Sequence, residues 1–252
     1  MKIFVSNDDG YQSEGLKLLV EYLGKNNEVY VVVPDCQKSG FSHSMTFRRP
    51  MFCNKIDIKG AKEAYALSGS PADCVRFGIE FFCFKPDAVI SGPNIGPNLT
   101  FDVHYSGTVG AAREAAVLGF KSIALSCAVP HNEGATAHFD ATCRYITENL
   151  DKFMSIDLKG SFFNVNVPNV PFAQIKGTKI VPYGRRFFED VYEKYVSPED
   201  GRTGYCLAGD FAAFDEHEET DAYYIGQNYV TVTPLLSDIC DYKALNDLKG
   251  KF

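Results

Sequence analysis

Apolar residues in this chain fall in short continuous runs that alternate with windows of helical spacing. Ile3-Phe4-Val5 is one such run, closed at once by Ser6-Asn7-Asp8-Asp9-Gly10, which is the pattern of a buried strand ending in a turn. Leu16, Leu19, Val20 and Leu23 recur at helical spacing, with Gly24 placed as a C′ stop. Glu28 to Val33 is β-rich and almost wholly apolar, as a central parallel strand is, and Pro34 ends it. Strand, helix and strand make a βαβ unit with a right-handed crossover. Residues 45–68 read as short strands or an irregular insertion, with Met51-Phe52-Cys53 and Ala64 to Leu67 as the apolar pieces. Ser70-Pro71-Ala72-Asp73 then supplies an N-cap, a proline at N1 and an acid at N3, opening a helix that runs to about Phe82.

The alternation continues. Asp87 to Ser91 is a strand, residues 92–98 a Gly/Pro/Asn loop, and Val109 to Leu118 a helix closed by Gly119. Ser122 to Ser126 is a strand, 138–150 an amphipathic helix, and Phe162 to Val167 and Thr178 to Val181 are strands again. This order predicts an α/β fold: a Rossmann-like, doubly wound, mostly parallel sheet with helices on both faces. After Arg185 the pattern breaks into short β-like pieces (Val191-Tyr192, Tyr205 to Leu207, Tyr229 to Thr233) mixed with acidic turns. Residues 1–185 therefore read as the Rossmann-like core. Residues 186–252 read as a C-terminal extension, a β-hairpin or helix arm packed on the core and on a partner subunit.

Composition narrows the function classes. A chain of 252 residues with ordinary apolar content has ample core for one domain or one domain plus an extension. No apolar run is long enough to span a bilayer, and Asp8-Asp9 interrupts the place where a signal peptide would carry its apolar region, so a cytoplasmic protein is expected. Eight scattered cysteines with no Cys-x-x-Cys pair argue against a zinc site and a disulfide framework. From Arg186 onward six Lys or Arg face fourteen Asp or Glu, a net −8, while the whole chain is −7, so the core is close to neutral. There is no basic stripe of the kind duplex nucleic acid needs.

The candidate chemistry lies where strands end. Asp8 and Asp9 are adjacent carboxylates, and unless both are fully solvated a cation, usually a divalent metal, must hold them ionised. Two further polar loops follow predicted strands, Ser39-Gly40-x-Ser42 and Asn94-x-x-x-Asn98. In an open α/β sheet these three loops share one edge, where ligands bind. Their carboxylate, hydroxyl and amide oxygens are hard donors that suit Mg²⁺ or Mn²⁺. Ser106-Gly107-Thr108 opens a helix, and its free N–H groups and dipole favour an anion. A metal beside an anion-binding helix end is equipment for phosphate-ester hydrolysis. His43 and His104 are the nearest candidates for a proton donor, while His131, His138 and His217 have no assigned role.

Other readings fit less well. Aspartyl-phosphate phosphatases need Asp-x-Asp spacing, and Asp8-Asp9 is contiguous. No nucleophile elbow, Gly-x-Gly-x-x-Gly or P-loop motif is present. A non-catalytic nucleotide- or metal-binding sensor on the same fold is the remaining alternative.

The chain resembles the SurE family of survival-protein phosphatases. The resemblance rests on Ser6-Asn-Asp-Asp-Gly10, Val33-Pro-Asp, Ser39-Gly-x-Ser-x-Ser-x-Thr46, Gly69-x-Pro-Ala-Asp-Cys74, Ser91-Gly-x-Asn94-x-Gly-x-Asn98, Tyr105-Ser-Gly-Thr-Val-Gly-Ala-Ala-Arg-Glu114 and Asn164-Val-Asn-Val-Pro168, with Thr231-Val-Thr-Pro-Leu235 as a late strand. It implies a phosphatase acting on nucleoside 5′- or 3′-monophosphates with one divalent cation, Mg²⁺ or Mn²⁺, per subunit. Carried over by motif, Asp8, Asp9, Ser39 and Asn94 would be metal ligands, with Asp8 and Asp9 catalytic through the metal. Gly40, Ser42, Asn98, Ser106, Gly107 and Thr108 would line the phosphate. The resemblance further implies homodimers or homotetramers with exchanged C-terminal arms. Pro93 replaces the family's usual branched aliphatic residue, and the acidic stretch 210–221 has no counterpart in the pattern.

Overall fold

Alternation in the first strand sets up two helical layers. β1 (Lys2–Ser6) sends Ile3 and Val5 to one face of a sheet and Phe4 to the other, and all three are fully buried. Val29, Val31 and Val33 of β2 (Glu28–Pro34) join the first face, and Tyr30 and Val32 the second. The first face is covered by α1 (Glu14–Leu23), through Leu16, Leu19, Val20 and Leu23, and by Cys143, Tyr145, Ile146 and Leu150 of a later helix. Cys74, Val75, Ile79, Ala111 and Ala115 cover the second face. The structure is a computed structural model that describes residues 1–82, 85–130, 135–214 and 219–251, with the side chains of 186–190 and 208–214 outside the description.

The chain continues through β3 (Cys53–Lys55), β4 (Ala61–Leu67), α2 (Pro71–Phe82), β5 (Ala88–Ile95), α3 (Gly107–Val117), β6 (Ser122–Ala128), α4 (Phe139–Ser155), β7 (Ser161–Pro168) and β8 (Thr178–Ile180). It then forms β9 (Arg186–Val196), β10 (Thr203–Phe214), α5 (Asp221–Ile225), β11 (Val230–Leu236) and α6 (Tyr242–Leu248). The main sheet has nine strands in the order β3-β4-β2-β1-β5-β6-β7-β11-β8. The six from β4 to β7 are mutually parallel, while β3 and β11 run antiparallel to β4 and β7. Strand order reverses between β1 and β5. That is the switch point of a doubly wound sheet, and the expected fold class holds.

Local signals place the helix starts better than the element ends. The start of α2 is a reciprocal capping arrangement, as its sequence predicts: Asp73 N donates to Ser70 Oγ at 3.1 Å, and Ser70 N donates to Asp73 Oδ2 at 2.8 Å. Gly24 does follow α1, but with φ of −65° it is not a left-handed cap; glycine is needed because a Cβ there would lie 2.4 Å from the Gly60 carbonyl oxygen. β5 runs past the predicted loop start at Gly92 to Ile95, with a register shift between Ser91 and Asn94. α4 extends five residues past the predicted end at 150.

The C-terminal segment differs more. The short pieces predicted around 191 and 205 belong to one long antiparallel ribbon, β9–β10, which pairs with neither edge of the main sheet. The predicted strand at 229–233 lies in the main sheet itself, between β7 and β8. α6, capped by Asp241 Oδ1 on Ala244 N, is a helix at a position that the β-like pieces after Arg185 do not mark. Of the acidic stretch 210–221, residues 215–218 lie outside the described residues. Among the described residues all seven cysteines are free, and no helix is long and apolar enough to cross a membrane.

Candidate active site

The crevice beyond the ends of β1 and β5 collects the predicted loops. Asp8 is 3 % exposed, which is unusual for an ionisable side chain. Its carboxylate is received by the first turn of α3: Thr108 N donates to Oδ2 at 3.0 Å, and Thr108 Oγ1 donates to Oδ1 at 2.5 Å. The Gly107 N–H also stabilises the carboxylate. Burial nonetheless raises the Asp8 pKa above its ordinary value, with the Thr108 donors opposing the shift. Asp9, half-buried, is pushed from 3.8 to about 6, first by burial and then by the charge of Asp8, against one hydrogen bond from Ile95 N to Oδ2 at 3.1 Å.

Backbone bonds stitch the loops to this pair. Lys38 N donates to the Asp8 carbonyl at 2.7 Å, bringing the loop after β2 under β1. Ser42 N donates to the Tyr105 carbonyl at 3.0 Å, and Ser42 Oγ to the His104 carbonyl at 2.6 Å. Two glycines of α3 allow the closeness: a Cβ on Gly110 would sit 2.1 Å from the Ser42 carbonyl oxygen, and one on Gly107 would sit 2.9 Å from Asp8 Cβ.

Each predicted site residue has a definite place. Asn94 turns its Nδ2 onto the Gly96 carbonyl at 2.8 Å, leaving Oδ1 as the free end of the amide. Ser39 is exposed on its loop and accepts from Gln37 Nε2 at 3.1 Å, and Gly40 beside it is exposed with φ of +75°. Ser106 is the N-cap of α3, accepting from Val109 N at 3.1 Å, so its hydroxyl proton stays available. Three of the predicted phosphate donors are used otherwise. Thr108 gives both of its donors to Asp8, Ser42 gives its hydroxyl to a carbonyl, and Asn98 is buried in an amide network. Within that network Asn98 Nδ2 donates to Ser126 Oγ and Asn98 N to Asn166 Oδ1, both at 2.8 Å. The Asn98 carbonyl accepts from Asn164 Nδ2 at 2.8 Å and Asn166 Nδ2 at 3.1 Å.

The histidines separate. His43 Nε2 lies 2.8 Å from Oε2 of Glu114, a buried α3 residue whose Oε1 accepts from Arg76 Nε at 2.7 Å. The loop after β2 is thereby tied to α3 a second time. His104 is exposed and forms a ring cluster with Phe101 and Tyr183. His138 is the N-cap residue of α4, its N–H donating to Asn169 Oδ1 at 2.7 Å, and His131 and His217 lie outside the described residues. Sequence reasoning assigned no role to Glu114, Asn164 or Asn166. The signal for the asparagines was present: Asn-x-Asn in an otherwise apolar strand places two amides on one face.

The donor set fits a hard divalent cation. Two carboxylates with raised pKa values resist double ionisation on their own, and a cation relieves both the burial and the repulsion. The remaining oxygens at hand are the Asn94 amide and the Ser39 hydroxyl, and among the described residues no cluster of three or more His, Cys, Asp or Glu is present. Oxygen donors of this kind suit a hard divalent cation that keeps several waters.

Comparisons with known proteins agree over the whole chain. The family described as "Survival protein SurE" matches residues 3–190. A "5'-nucleotidase SurE" of Thermosipho melanesiensis is 37% identical over 257 residues, covering 100% of this chain and 98% of that protein. One from Desulfitobacterium hafniense is 38% identical over 251 residues, covering 99% and 96%. The crystal structure of the SurE protein from Aquifex aeolicus superposes with a TM-score of 0.82 at 36% identity, covering 99% of this chain and 98% of that one.

Proposed function

Because the chain belongs to the SurE family, we infer that it is a 5′-nucleotidase, and we propose that it releases phosphate from nucleoside 5′-monophosphates, and from 3′-monophosphates as a second substrate class, with one Mg²⁺ or Mn²⁺ held by Asp8, Asp9, Ser39 and Asn94. The observation that carries the proposal is the buried carboxylate pair at the β1/β5 switch point, both members with raised pKa values and one seated on the N-terminus of α3. A cation bound there lowers the pKa of a water and polarises the phosphoryl oxygen. Thr108 fixes both carboxylate oxygens of Asp8, and in this reading Asp8 and Asp9 hold the cation while water is the nucleophile. The Ser106 hydroxyl and the exposed Gly40 turn are the groups left to face a phosphate, and Ser42, Asn98, Gly107 and Thr108 shape that pocket by holding its walls.

The test is phosphate release from AMP and from 3′-AMP with Mg²⁺ or Mn²⁺, with and without EDTA. Release that EDTA abolishes and Mn²⁺ restores is the expected result. Folded protein that releases nothing with any divalent metal overturns the proposal and leaves a non-catalytic binding module.

The β9–β10 ribbon is the proposed oligomerisation arm of the 186–252 extension. Val191, Tyr192, Tyr195, Val196, Tyr205 and Leu207 are more than half exposed on it. A two-stranded ribbon standing off a sheet is marginal in water, and a second copy is the surface that covers it.

A further inference from the structure

One side chain of the C-terminal segment returns to the crevice. Asp221, the first residue of α5, is fully buried, and its carboxylate accepts three backbone hydrogen bonds. Oδ2 takes Thr100 N at 2.9 Å; Oδ1 takes Gly184 N at 2.9 Å and Ala222 N at 2.8 Å. Burial raises the pKa of this carboxyl, and the three N–H groups oppose the rise.

Thr100 is the informative partner. It opens the 3-10 segment Thr100–His104, is fully buried, and has φ of +54°. A β-branched residue does not take that conformation unaided. Its own hydroxyl does not stabilise it, because Thr100 Oγ1 is buried without a hydrogen-bond partner among the described residues. The conformation is imposed from outside. On the upstream side Asn164, Asn166 and Ser126 grip Asn98; on the Thr100 N–H itself the grip is Asp221. Downstream the segment presents the His104 and Tyr105 carbonyls to Ser42 and leads directly into Ser106. Gly184, the third anchor, lies two residues before β9, so the same carboxylate also fixes the root of the ribbon.

We propose that Asp221 is a positioning residue for the nucleotide: the C-terminal segment uses it to hold the 98–106 loop in its strained, phosphate-facing shape and to join that loop to the base of the ribbon. This rests on the nucleotidase reading of the crevice. The Asp8 carboxylate is held by Thr108 of α3 and the Asp9 carboxylate by Ile95 of β5, neither of which touches Asp221, so the metal should bind normally when Asp221 is changed.

The test uses full-length Asp221→Asn, in which one N–H group faces an amide –NH₂ instead of an oxygen. AMP hydrolysis should show KM raised at least tenfold with kcat lowered less than threefold. Mn²⁺ affinity, measured by calorimetry without nucleotide, should stay within twofold of the parent. Adding Thr100→Gly should recover at least half of the lost KM on a logarithmic scale, because glycine adopts the left-handed conformation without external hold. Asp221→Ser, which leaves room for a water on the three N–H groups, carries the same test if the Asn variant does not fold. A variant that melts lower but keeps its KM, or one that loses Mn²⁺ affinity in parallel, overturns the proposal. A parent protein that hydrolyses no nucleotide defeats the nucleotidase reading instead, which separates the two failures.

Discussion

Asp9→Asn should stabilise the metal-free protein while abolishing its activity. Folding raises the Asp9 pKa from 3.8 to about 6, so the folded state binds this proton more tightly than the unfolded chain. The contribution to stability is therefore most favourable below about pH 4, declines as pH climbs toward 6, and reaches its full penalty above that. A shift of about 2 pK units corresponds to about 3 kcal/mol. Asp9 is only partly buried, and solvent screening reduces the figure to about 1–2 kcal/mol. Asn has nearly the same shape, keeps an oxygen for the Ile95 N–H and removes the repulsion from Asp8.

In EDTA at pH 7.5, Asp9→Asn should melt roughly 2–8 °C above the parent, given about 2–4 °C per kcal/mol for a chain of this size. At pH 4 the two should melt together. Saturating Mg²⁺ should reverse the order by raising the parent alone, by about 2.7 kcal/mol at a hundred times its dissociation constant. Differential scanning calorimetry across pH, with and without metal, measures all three. If Asp9→Asn melts below the parent in EDTA at pH 7.5, Asp9 is stabilising in its own right and the strained-pair argument is wrong.

Two other outcomes follow from particular contacts. Gly110→Ala improves intrinsic helix propensity by up to about 1 kcal/mol, yet its methyl would meet the Ser42 carbonyl oxygen at 2.1 Å; AMP turnover should fall at least about tenfold as the 39–44 loop is pushed off α3, and unchanged kinetics would mean that this loop is not part of the site. Multi-angle light scattering on the full chain should report a dimer or tetramer at micromolar concentration, and a monomer there would leave the exposed ribbon residues without their proposed cover.

What could be read from the sequence was what local chemistry determines. β1, α1, β2 and the capped start of α2 carry their own signals: continuous apolar runs, helical spacing, Ser-Pro-x-Asp. Asp8-Asp9 was legible because two carboxylates after a buried strand are costly under any fold. The β9–β10 ribbon was read only in pieces, because a strand whose covering surface is elsewhere shows no buried face to give it a period. The place of β11 between β7 and β8 depends on pairing across some 65 residues, and no window along the chain contains it. α6 did carry a signal, Asp241 as its cap, but seven largely exposed residues offer little apolar periodicity to support it.

Motif residues were easier to find than to assign, and the reason is physical. A motif names donors without naming their acceptors. Thr108 looked like a phosphate donor because a hydroxyl beside a helix start usually is, and Ser42 through the family resemblance, but an enclosed site has more polar groups than one phosphate can satisfy. Asp8 cannot stay ionised and buried without its own donors, and Thr108 supplies two of them. The loop after β2 cannot pass within contact of α3 without a group to secure it, and Ser42 and His43 do so from either side of one peptide bond. The chain's longest motif, Tyr105 to Glu114, is therefore a support as much as a site. One end caps α3 beside the proposed phosphate pocket, the middle holds Asp8, and the far end grips His43 through Glu114. A substitution anywhere along it should disturb the metal, the loop or the anion pocket in a way its position specifies.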